Sequence, residues 1–124
     1  MRTIALLALV MFAACGNEGP TMRPGEDCTK CHSYKVAGTV FPSASAAASG
    51  GIANITVTLV DSAQKTITLT SNSAGNFYTD QSIAWPASVS VTQGSTTVSM
   101  IKPLTGGACN SCHVPDGQGR VHLP

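Results

Sequence analysis

Read for alternation alone, the middle of the chain is a series of short strands. Ile55-Thr56-Val57-Thr58-Leu59 alternates apolar side chains with threonine, and so do Thr66-Ile67-Thr68-Leu69-Thr70 and Ser88-Val89-Ser90-Val91-Thr92. Thr97-Val98-Ser99-Met100-Ile101 continues the habit. A period of two puts the apolar groups on one face and the hydroxyls on the other, which is the pattern of half-buried antiparallel strands. Residues 35–41 make an earlier strand, and Phe77 and Tyr78 a short one. Turn formers separate the runs: Asp61 to Gln64, Asn72 to Asn76, Trp85-Pro86 and Gln93 to Ser95, with a Ser/Ala/Gly loop over 42–51. This spacing predicts an all-β fold, a small antiparallel β-sandwich of about six to seven strands, with its core over residues 34–101. Val98 and Met100 lie in the alternation and are expected inside that core.

The start of the chain breaks this pattern. Residues 4–14 form an unbroken apolar run behind Arg2, too short for a bilayer span of about 20 residues. The length and the small residues at its end fit a secretory signal over 1–14. Its close, Phe12-Ala13-Ala14-Cys15, resembles the bacterial lipoprotein signal, although Phe12 stands where that family usually has leucine. The resemblance implies cleavage before Cys15, lipidation of that cysteine and a membrane anchor in the cell envelope. That anchor would face the periplasm or sit in the outer membrane, with the cell surface left open. Each buried CH₂ of an acyl chain contributes about 0.8 kcal/mol. Ordinary cleavage leaving an exposed Cys15 is the alternative. Residues 15–27 then read as a flexible tether of Gly, Pro, Asn and Glu, ahead of a domain over 28–124.

Composition narrows the function classes. A length of 124 residues suits one domain with an appendage. Net charge is +1, 10% of residues are charged and there is no basic stripe, so no nucleic-acid partner is expected.

Five cysteines and three histidines carry the candidate chemistry. With Cys15 at the signal boundary, Cys28, Cys31, Cys109 and Cys112 remain as two Cys-x-x-Cys pairs, each followed directly by a histidine, His32 and His113. Disulfides are the default for an exported chain. A zinc site from two such pairs is a second reading, but zinc ribbons separate them by about 15–20 residues, and these lie much further apart. Covalent haem attachment is the reading that demands the histidine. Two thiols on one helical turn reach both vinyl groups of a porphyrin, and the next residue offers its imidazole to the iron.

Both motifs look like those of c-type cytochromes, and the chain resembles a small dihaem member of that class. The resemblance implies two covalently attached haems c, with thioethers at Cys28, Cys31, Cys109 and Cys112 and proximal ligands at His32 and His113. Attachment after export agrees with the signal sequence. For the sixth positions the one remaining histidine is His122, behind a segment, Asp116-Gly117-Gln118-Gly119, able to fold back sharply. It is the candidate distal ligand of the second haem, flanked by apolar Val121 and Leu123. Met22, in Thr21-Met22-Arg23-Pro24-Gly25, is the candidate for the first. Met100 is a lesser candidate there, and an open iron or a ligand from another chain is the alternative; for His122 the alternative is an exposed residue of the C-terminal tail. Arg120 and Lys102 are candidate partners of haem propionates.

The runs Val36-Ala37-Gly38-Thr39-Val40, 51–59 and Gly75-Asn76-Phe77-Tyr78-Thr79 resemble carboxypeptidase regulatory-like (transthyretin-like) domains over about 34–101. Those domains are non-catalytic sandwiches, which implies a scaffold. Asp27, Asp61, Asp80 and Asp116 are scattered and form no acid–base set, so no enzyme activity is expected. The leading expectation is electron transfer with redox partner proteins or an extracellular acceptor, a homo-oligomer being left open. A haem-based sensor or binder of small ligands through an open iron is the second. A structural or adhesion sandwich stapled by haem is the third. An even number of reversing strands between the motifs would bring them to one end of the sandwich.

Overall fold

A computed structural model describes residues 23–30, 32–113 and 115–124. The signal segment, Cys15, Met22 and Cys31 lie outside the described residues. Among the described residues, seven strands form two sheets. In chain order they are β1 (Val36–Phe41), β2 (Thr56–Val60), β3 (Thr66–Thr70), β4 (Asn76–Thr79), β5 (Ser88–Gln93), β6 (Thr96–Ser99) and β7 (Val121–His122). A single helical turn, α1 (Cys109–Cys112), and a 3-10 turn at Cys28–Lys30 carry the two cysteine motifs. One sheet has the order β4-β1-β7 and the other β3-β2-β5-β6. Small, all-β and sandwich-like, the architecture is the one the alternation predicts.

The four-stranded sheet is antiparallel throughout, and its register explains its packing. Leu69 pairs with Val57 and Val57 with Val91, while Ile67 pairs with Leu59 and Leu59 with Val89. Val98 pairs with Val91 on the far side. The apolar members of every alternating run therefore stand on one face. Val57, Leu59, Ile67 and Val91 of that face join Val36, Val40 and Phe77 of the other sheet in the core, together with Cys109 and Leu123.

The smaller sheet covers only part of that face, because its third strand is the two-residue β7. Val98 and Met100 consequently stay 37% and 38% exposed, contrary to the core position expected of them. Alternation assigned the face correctly; the narrow opposing sheet leaves it overhanging.

β1 is buried at all six positions. Its inner residues Val36 and Val40 meet the other sheet. Its outer residues Ala37, Thr39 and Phe41 are covered by the segments that carry the cysteine motifs. After β6 the chain bridges back to Ala87 at Leu104, then crosses to β1, where Ala108 pairs in parallel with Ala37. It leaves that edge through α1 and returns as β7, again parallel to β1, with Val40 opposite Val121 and Phe41 opposite His122. The parallel β7 and the parallel Ala108 bridge depart from an antiparallel sandwich. Among the described residues no helix is long and apolar enough to cross a membrane.

Candidate functional site

The two motifs fold alike. His32 N–H donates to the Cys28 carbonyl at 3.0 Å, and His113 N–H donates to the Cys109 carbonyl at 3.0 Å. In each, the backbone closes one turn from the first cysteine to the histidine. In the second motif the turn leaves Cys109 buried and Cys112 exposed, with His113 directly behind them in the chain.

Both turns are held against β1. Asn110, between the cysteines of the second motif, is 3% exposed. Its Nδ2 donates to the Glu26 carbonyl at 2.8 Å and to Thr39 Oγ1 at 3.0 Å, and its Oδ1 accepts from Thr39 N–H at 3.1 Å. Thr39 Oγ1 also accepts from Gly25 N–H at 2.9 Å and donates to Asn76 Oδ1 at 2.8 Å. One hydroxyl thus binds the approach to the first motif, the turn of the second and strand β4, with its donor and both acceptor positions used. Six strands do separate the motifs, as counted from the sequence. Their adjacency comes from this packing on β1.

Cys28, Cys109 and Cys112 carry free thiols. Cys112 is exposed, whereas Cys109 lies in the core. Its Cβ rests over Gly38 so closely that a side chain on that glycine would come within 2.8 Å. Burial pushes the Cys109 thiol up to about 12, with smaller upward contributions from neighbouring Cys28, Cys112 and Asp27. Burial also raises Cys28. The thiols of the two motifs therefore stand within each other's electrostatic reach.

The histidines of the second motif and of the tail face one cleft. An open cavity of about 210 Å³ has the overhanging valines Val89, Val91 and Val98 on one side, with Met100. His113, His122, Gln118 and Val121 line it as well. His113 Nδ1 lies 3.0 Å from the Gly119 carbonyl, and His122 Nδ1 lies 2.8 Å from the Arg120 carbonyl. A carbonyl can only accept, so each Nδ1 is the protonated nitrogen. In the neutral ring the Nε2 lone pair is then free, the tautomer an imidazole needs to bind a metal through Nε2. Gly119 supports this by adopting φ +78°, a conformation that favours glycine.

Arg120 ties the cleft to the first motif. Its guanidinium sits 4.4 Å from the centroid of the Phe41 ring and donates to the Gly25 carbonyl at 3.3 Å and the Ala46 carbonyl at 3.4 Å. Those bonds occupy the side chain expected to meet a propionate. Lys102 is exposed.

At the first motif, the His32 ring stacks on Tyr34 and Tyr34 stacks on Tyr78. Cys31 and Met22, the remaining candidates there, lie outside the described residues, as does the lipidation candidate Cys15. Among the described residues no group of three or more His, Cys, Asp or Glu side chains is placed to hold a bare metal ion. The structure thus brings together Cys28, Cys109, Asn110 and Thr39 at one centre, and His113, His122 and Met100 at another. Asn110 and Tyr34 went unread in the sequence, and Thr39, Tyr78 and Gly119 were read only as strand or turn residues. Of their roles at the site, only that of the φ-permissive glycine in a turn segment carried any signal.

No family model matches the chain, and neither a curated protein nor a solved structure matches it.

Proposed function

We propose that the chain is an exported dihaem c-type cytochrome that transfers electrons, anchored to a membrane through lipid at Cys15. The observation that carries this reading is the cleft. Two histidines face it with Nδ1 on backbone carbonyls, and its floor is an apolar sheet face that the protein's own second sheet leaves open. A flat apolar group with a metal at its centre suits both features. Cys109 and Cys112 would hold the second haem and His113 would ligate it, with His122 as its sixth ligand. Cys28, Cys31 and His32 would hold the first, with Met22 as the distal ligand.

When bound, each haem supplies an iron that alternates between ferrous and ferric states. The residues of the chain fix ligand orientation, exclude water with the valine face, and hold the two motifs side by side on β1. That adjacency supports electron exchange between the haems within one chain. Redox partner proteins or an extracellular acceptor would complete the path.

Pyridine haemochrome analysis with intact mass tests the reading, using protein expressed with its leader in a host that attaches haem. Two haems per chain are expected, and one after Cys109→Ala/Cys112→Ala. Loss of no haem in that variant overturns the assignment. Carbon monoxide separates the second reading, a small-ligand binder, which the openness of the cleft favours. Fast binding to both ferrous haems would replace electron shuttling with ligand sensing.

A further inference from the structure

We propose that Tyr34, backed by Tyr78, is a positioning residue that fixes the plane of the His32 imidazole. The proposal deepens the haem reading above and rests on it. The His32 and Tyr34 rings lie 4.9 Å apart between centroids at an interplanar angle of 24°. Tyr34 and Tyr78 continue the stack at 4.6 Å and 19°. These separations are those of offset-stacked rings, the arrangement aromatic quadrupoles prefer.

The stack has a fixed end. Tyr78 lies on β4, where it pairs with Ala37 of β1 inside a four-pair antiparallel ladder. Lys35, next to Tyr34 in the chain, donates its N–H to the Thr79 carbonyl at 2.8 Å. Tyr34 is thus held at its backbone beside β4 and at its ring by Tyr78. The His32 backbone is held by its bond to the Cys28 carbonyl. The near-parallel Tyr34 ring restricts rotation of the imidazole about its Cβ–Cγ bond.

His113 has a different restraint, the Nδ1 bond to the Gly119 carbonyl at 3.0 Å. His113 lines the cleft with residues of β5 and β6, and neither Tyr34 nor Tyr78 does, so a change at Tyr34 should reach only the first motif. The orientation of an axial imidazole sets the splitting of the ferric iron's d orbitals. Electron paramagnetic resonance reads that splitting directly, and a merely structural role would not move it.

The experiment compares ferric spectra of the haem-loaded full chain with Tyr34→Phe, Tyr34→Leu and Tyr78→Leu. A Cys28→Ala/Cys31→Ala variant assigns the signal of the first haem by its loss. Tyr34→Phe keeps a ring and should leave both signals in place. Tyr34→Leu should shift the principal g-value of the first haem and not that of the second. Tyr78→Leu, one ring further out, should shift the same signal in the same direction by less, and it serves if Tyr34→Leu fails to fold. Two haems per chain with unchanged signals in both leucine variants would overturn the role of Tyr34 alone. Equal shifts of both signals would also overturn it, showing a global change. An absence of haem by pyridine haemochrome would instead remove the reading on which the proposal rests.

Discussion

Asn110 and Thr39 hold each other through two hydrogen bonds, Thr39 N–H to Asn110 Oδ1 at 3.1 Å and Asn110 Nδ2 to Thr39 Oγ1 at 3.0 Å. They lie 71 residues apart, and the pair closes the second motif onto the strand that follows the first. Asn110→Ala would leave the buried Thr39 N–H without its partner and remove one of the donors to the carbonyl of exposed Glu26, which Cys28 Sγ also reaches. A buried group so orphaned costs about 1–3 kcal/mol, the loss expected in urea unfolding. Asn110→Asp is nearly isosteric, but it turns the donor toward the Glu26 carbonyl into an acceptor, and it should be comparably damaging. Wild-type stability in the aspartate variant at neutral pH would mean that the Nδ2 bonds contribute little.

Gly38 offers a second test of the same junction. A Cβ there would lie 2.6 Å from Phe77 Cζ and 2.8 Å from Cys109 Cβ, inside the closed core. Overpacking of this kind costs typically 1–3 kcal/mol, roughly the effect expected of Gly38→Ala in thermal unfolding. The damage should spread to the second motif, because Cys109 must yield. Haem content at that motif should fall together with the melting temperature. Normal loading in a destabilised variant would separate the core from the site.

Much of this organisation was legible as pattern, and the illegible parts have physical reasons. β2, β3 and β5 follow alternating Thr/Ser and apolar residues almost to the residue, since each is half-buried and the sheet enforces period two. The position of Met100 was legible as a face but not as an environment, because that depends on how far the opposing sheet extends. β7 has two residues and no alternation to read. The repeated Cys-x-x-Cys-His spacing marked both turns, yet their common contact with β1 runs through Asn110 and Thr39. A polar residue between two cysteines does not announce a partner 71 positions away.

Asp61 was read as a turn residue, and its carboxylate does more than cap a turn. Its Oδ1 accepts from Lys65 N–H at 2.9 Å and Ala63 N–H at 3.0 Å, and its Oδ2 from Ala84 N–H at 3.2 Å. The bond from Lys65 leads in holding the carboxyl below its ordinary range, against a smaller upward push from burial. A depressed folded value means that the carboxylate stabilises the fold above the unfolded pKa of about 3.9. That stability is lost as pH falls through the lower folded value. Asp61→Asn should melt below the wild type at neutral pH, and the gap should close on acidification below the usual carboxylate range. A gap independent of pH would assign the effect to packing of the turn.

On the haem reading proposed above, the cleft would offer a second iron two donors whose restraints differ. His122 is fixed by backbone pairing with Phe41 and by its Nδ1 bond to the Arg120 carbonyl at 2.8 Å, which leaves Nε2 as the ligating atom. Met100 follows the last residue of an edge strand, where a flexible thioether side chain 38% exposed has no comparable lock. A restrained donor loses less conformational entropy on ligation, which favours His122. His122→Ala should render one ferric haem high-spin at neutral pH and let its ferrous form bind carbon monoxide. Met100→Ala should leave both haems low-spin. The reverse pair of results would assign the ligand to Met100, and the second haem's reduction potential should then fall when that thioether is removed, since thioether ligation raises it.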